Sequence, residues 1–76
     1  MSEISKTRLA TIEAPYRREV KLDEVTFDSG MRLLRVVVRE GHRITQLDID
    51  RATAETSGST LLAWAHGKLS DDAMTP

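Results

Sequence analysis

The sequence predicts an α+β domain in which a three-stranded antiparallel β-meander is followed by one C-terminal helix packed on one face, in the order β-β-β-α. Three observations carry this reading. Apolar residues alternate with polar ones from Arg18 onward, a β-branched run from Met31 to Glu40 is followed by Gly41-His42, and an apolar stripe at helical spacing follows Asp50. Residues 18–67 are expected to form this domain, residues 1–17 an N-terminal arm that is flexible or edge-pairing, and residues 68–76 a disordered tail.

In the arm, Ile4, Leu9 and Ile12 stand isolated among polar neighbours, and Pro15 interrupts any regular element that continues onward. Thr7 to Ala14 can add an edge strand or stay disordered, and no helix is expected there. Val20 and Leu22 then alternate against charges, whereas Val25 and Phe27 alternate in the opposite phase. A β-bulge at Asp23–Glu24 absorbs that slip and brings all four side chains to one face. Asp28-Ser29-Gly30 supplies the turn, with Gly30 free to take positive φ.

Leu33, Leu34, Val36, Val37 and Val38 mark the central strand. Gly41-His42 reads as a two-residue type II′ loop, and Arg43 to Ile49 returns as the third strand. That loop pairs Glu40 with Arg43, Val38 with Thr45, Val36 with Leu47, Arg35 with Asp48 and Leu34 with Ile49, so apolar partners share one face and opposite charges the other. Across the first turn, Val25 is expected near Leu34 and, past the bulge, Leu22 near Val36 and Val20 near Val38.

Asp50 is an N-cap candidate for a helix from Arg51 to about His66, with Gly67 placed to end it. Ala54, Gly58, Leu61, Leu62 and Ala65 form the stripe expected to lie on the sheet. Thr56, Ser57, Gly58 and Thr60 are weak helix formers; they allow close approach to the sheet, a bend or a partner contact.

The functional reading starts from size. At 76 residues the chain holds one domain with a thin core, and with no cysteine to form a disulfide, self-association is the expected remedy. The absence of cysteine also removes thiolate nucleophiles and cysteine-ligated metals. A net charge of −1 with 30% charged residues argues against a dedicated nucleic-acid binder. No apolar run suffices for a signal peptide or a bilayer span, so a soluble cytoplasmic protein is expected.

The sheet face opposite the helix is expected to show Leu33, Arg35, Val37 and Arg39 beside Ile44, Gln46 and Asp48. Such a half-apolar face is covered by a second subunit or by the arm, or is left exposed. Leu33, Val37 and Ile44, with Trp64 as an aromatic anchor at the edge of the helical stripe, are therefore the interaction candidates of a homodimeric protein-protein interaction or regulatory module. The alternative is a small nucleic-acid-binding protein that uses Arg32, Arg35, Arg39 and Arg43 on its hairpin, against which Glu40, Asp48 and Asp50 weigh.

His42 and His66 have no partner at ligand spacing, so no metal and no cofactor are expected. Among carboxylates, Asp48, Asp50 and Glu55 gather at the strand-to-helix junction, where the acid–base reading competes with cross-strand partner, cap and helix surface respectively. No nucleophile elbow, phosphate-binding loop or metalloprotease motif is present, and no catalytic residue is expected.

Overall fold

The strand-forming pattern begins far earlier in the chain than its apolar residues suggest. The computed structural model describes residues 2–68 and contains β1 (Glu3–Ala14), β2 (Arg18–Phe27), β3 (Arg32–Glu40), β4 (Arg43–Ile49) and α1 (Arg51–Ala65). The fold is α+β, with one antiparallel sheet in the order β1-β2-β3-β4. Four strands replace the three expected. The tail expected to be disordered lies outside the described residues apart from Lys68.

The additional strand is the N-terminal arm. Its pairing with β2 shifts register at Ile4 and again at Leu9, and each extra residue reverses the inward and outward phase of the residues after it. Ile4, Leu9 and Ile12 therefore belong to a strand although no period of two links them. β2 and β3, by contrast, pair without interruption from Arg18 opposite Glu40 to Thr26 opposite Arg32. The bulge expected at Asp23–Glu24 is absent, and Val25 lies opposite Leu33 instead of near Leu34. The change of phase divides the apolar residues between two faces, Val20 and Leu22 on one and Val25 and Phe27 on the other.

The β3–β4 hairpin has the register read from the sequence, from Glu40 opposite Arg43 to Leu34 opposite Ile49. Gly41 takes φ +59° at the position where the short loop needs it. The β1–β2 turn meets a similar demand without glycine, since Tyr16 and Arg17 adopt φ of 64° and 60°. Bulky residues rarely occupy that region.

Each face now has a distinct character. One carries Ala10, Ile12, Val20, Leu22, Leu34, Val36, Val38, Leu47 and Ile49 in adjacent register positions and is the apolar face. The other carries Arg8, Asp23, Arg35 and Asp48 in a single row across all four strands and is the charged face. The two side chains of the described residues that are fully buried, Val25 and Asp23, both lie on the charged face.

α1 begins one residue after β4. Asp50, at φ −86° and ψ 177°, accepts the Thr53 backbone N–H at 2.8 Å, as an N-cap does. At the other end Lys68 N–H reaches the Ala63 carbonyl and Gly67 N–H that of Trp64, both at 2.9 Å, a Schellman closure with Gly67 at φ +75°. The helix does not cover the sheet as expected. It meets the sheet chiefly at β3, where Asp50, Arg51 and Ala54 join Leu9, Glu24, Arg32 and Leu34 around a hollow of about 190 Å³. Farther along, Leu61 and Leu62 are 69% and 59% exposed. Among the described residues no helix is long and apolar enough to cross a membrane.

This distribution of burial predicts which truncations matter to the isolated chain. Val25→Ala removes two buried methyl groups and is expected to lower unfolding free energy by about 2 kcal/mol in a urea titration. Ile44→Ala, on an exposed position of β4, is expected to change it by no more than about 0.5 kcal/mol.

Candidate interaction surfaces

Cross-strand neighbours on one face are the closest side-chain pairs a sheet makes, so a row of alternating charge binds its strands laterally. Here Arg8 Nε donates to Asp23 Oδ1, and Arg35 donates from Nε and Nη2 to both oxygens of Asp48 at 2.8 and 3.0 Å. The free Nη1 of Arg35 reaches Glu3 Oε1 at 2.8 Å. Glu3 pairs with Phe27 and Arg35 with Asp23, so this bond runs diagonally over Val25, which sits between those two β2 positions. The ion pairs act as the roof of the small buried region.

One member of each pair, Asp23 or Arg35, is shielded, which makes these contacts stronger than ordinary surface pairs. The Arg35 side chain is only 14% exposed, and a two-point guanidinium–carboxylate contact holds its geometry better than a single one. Its hydrogen bonds to Asp48 and Glu3 push the guanidinium further above its usual range. The Arg8 hydrogen bond holds the Asp23 carboxyl below the ordinary carboxylate range despite burial, and Arg35 does the same for Asp48.

Among the described residues the apolar face has no such roof. Its residues are half-buried at best, and Leu47 on the outer strand β4 is 58% exposed. Ile12, at the other edge of this face, is exposed as well.

The interaction candidates read from the sequence do not form one cluster. Leu33, Val37 and Ile44 do share the charged face, as expected, but the Arg8–Asp23–Arg35–Asp48 row separates Leu33 from Val37 and Ile44. Trp64 is exposed on α1 and does not join them. The four arginines are dispersed as well. Arg32 and Arg43 lie toward opposite ends of the apolar face, Arg35 is held by Asp48 and Glu3, and Arg39 stands on the charged face with Nε 3.3 Å from the Gly41 carbonyl.

A further cluster escaped the sequence reading. Pairing of Arg18 with Glu40 brings the β1–β2 and β3–β4 hairpin tips to one end of the sheet, where Arg17, Arg18 and Arg39 line a shallow hollow with Glu13 and Glu19. Tyr16 projects there, 86% exposed, with the Arg18 guanidinium 5.8 Å from its ring centre. The signal was the Tyr-Arg-Arg tract after Pro15, which reads as a hairpin tip only once β1 is recognised as a strand.

Among the described residues no group of three His, Asp or Glu side chains is placed to hold a metal ion. Asp48 and Asp50 are both held in the charged form, Asp48 by Arg35 and Asp50 by the Thr53 hydroxyl and backbone N–H. A general acid working near neutral pH needs the reverse shift.

The lowered acids make stability dependent on pH in one direction. Their contribution is complete above the unfolded carboxylate range near pH ~4 and is lost as pH falls through the depressed native values. Urea midpoints are therefore expected to be flat from pH 7 to about 5 and to drop steeply below about 4. Arg35→Gln is expected to flatten that acid limb, and an unaltered limb contradicts the role given to Arg35.

A family model described as "Family of unknown function (DUF6967)" matches residues 3–67. No curated protein and no solved structure matches the chain. The matched span runs from the first residue of β1 through the Gly67 closure of α1, so the four strands and the helix together are the unit that recurs, and the chain belongs to this DUF6967 family.

Proposed function

We propose that the chain is a homodimeric protein-protein interaction module whose self-association surface is the apolar face of the sheet. The observation that carries this reading is an unfinished interior. Ala14 and the nine apolar positions named above line that face, and none is fully buried.

Surface area gives the scale. The chain exposes 6232 Å² at a mass of 8.5 kDa, about 1,600 Å² more than a folded monomer of that mass. Discounting the largest area that the nine residues outside 2–68 can present still leaves about 600 Å². A stable interface removes about 800 Å² from each partner, so the surplus is of dimer size. The radius of gyration, 15.0 Å, likewise exceeds the about 11 Å of a compact chain of this length. The partner present at equal concentration wherever the chain is made is a second copy.

Such a dimer leaves the charged face and the hairpin ends free for a further protein, which is where a regulatory role would reside. The Tyr16, Arg17, Arg18 and Arg39 end also favours a second reading. An exposed ring beside guanidinium groups is the arrangement on which single-stranded nucleic acid stacks. Salt separates the two, because phosphate contacts weaken steeply as salt rises and apolar contacts do not.

Leu47 and Ile44 supply a matched test, being similarly exposed at 58% and 64% on opposite faces of β4. Sedimentation equilibrium at micromolar concentration is expected to give twice the chain mass for the unaltered protein and for Ile44→Glu, and a single chain mass or unfolded material for Leu47→Glu. A folded monomer throughout that range defeats the proposal.

A further inference from the structure

An apolar sheet face and an apolar helical stripe, the two halves of one packing contact, are present in this chain and unmated. Leu61 and Leu62 face solvent on α1, and Leu47 faces solvent on the sheet. Complementary surfaces in one chain ordinarily meet within it. What separates them here is the connection between β4 and α1, which consists of Asp50 alone.

Strand-to-helix connections usually contain 2–6 residues, because the chain must turn back before a helix can lie along its own sheet. Asp50 provides no such reversal. Its backbone is extended, and its carboxylate is committed to the Thr53 amide, so α1 is launched past β3 and away from the centre of the apolar face. A hinge this short favours delivering an element to another copy over folding it back.

Resting on the homodimer proposed above, we infer that the two protomers exchange helices, each α1 lying on the apolar face of its partner with Leu61 and Leu62 over Val36 and Leu47. Dimensions agree. A helix of 15 residues is about 22 Å long, enough to cross four strands spaced about 4.8 Å apart. Gly58 agrees too. A Cβ added there meets nothing within 4 Å in the single chain, so its own sheet makes no use of the missing side chain. At the middle of a stripe pressed against another sheet, bare backbone permits close approach.

The chain has no cysteine, so only introduced thiols can form a disulfide, and the single variants Leu47→Cys and Leu62→Cys, each expected to remain a single chain, exclude bonds between like positions. Leu47→Cys combined with Leu62→Cys in one chain is expected, after mild oxidation, to run as a covalent two-chain species on a non-reducing denaturing gel. The Ile44→Cys, Leu62→Cys combination, with its first site on the opposite face, is expected to remain a single chain. Should the double variant fail to fold, an equal mixture of Leu47→Cys chains and tagged Leu62→Cys chains serves, and the expected product joins one of each. Closure of the disulfide within a single chain, or cross-links between like chains only, overturns the exchange. If sedimentation reports a dimer while Leu47 and Leu62 fail to cross-link, exchange is wrong and homodimerisation stands. A folded monomer by sedimentation removes both.

Discussion

Everything in this sheet is indexed to Arg35. Its guanidinium holds Asp48 on β4 and Glu3 on β1, and its neighbour in register on β2 is Asp23, which Arg8 in turn holds from β1. Side chains alternate along a strand, so a slip of one residue in any pairing moves a charge from this row to the other side. The row thus fixes the register of all four strands and, by the same alternation, collects the apolar residues on the reverse face. Opposite charges shielded from water specify an arrangement more sharply than greasy contacts of similar size.

The parts of the fold legible in the sequence were those with short-range rules. Gly41-His42 fixes a loop length, the loop length fixes β3–β4 pairing, and Asp50 and Gly67 mark the two ends of α1. β1 was harder because its two bulges scramble the spacing of Ile4, Leu9 and Ile12. The bulge placed at Asp23–Glu24 answered a real change of phase with the wrong device. It assumed one buried face, whereas β2 contributes Leu22 to the apolar face and Val25 to the charged one.

The candidates read from the sequence are divided for a related reason. Counting apolar side chains on the face of Leu33, Val37 and Ile44 suggested a patch, but pattern alone does not show that Arg35 and its partners divide it. Nor does helical periodicity reveal whether a helix reaches the surface it matches. That depends on the length of the connection, and a single residue after Ile49 is too little for the expected packing. Amphipathic pattern says what an element needs against it, and chain geometry says whose surface supplies it.

The irregularities at Ile4 and Leu9 also bear on how far assembly can go. β1 is an outer strand of the sheet, and its free rim of amide and carbonyl groups is interrupted at those points. A broken rim is a poor template for the next strand, so a protein that leaves so much greasy surface uncovered is nevertheless guarded on this side against the endless lateral stacking that builds fibrils.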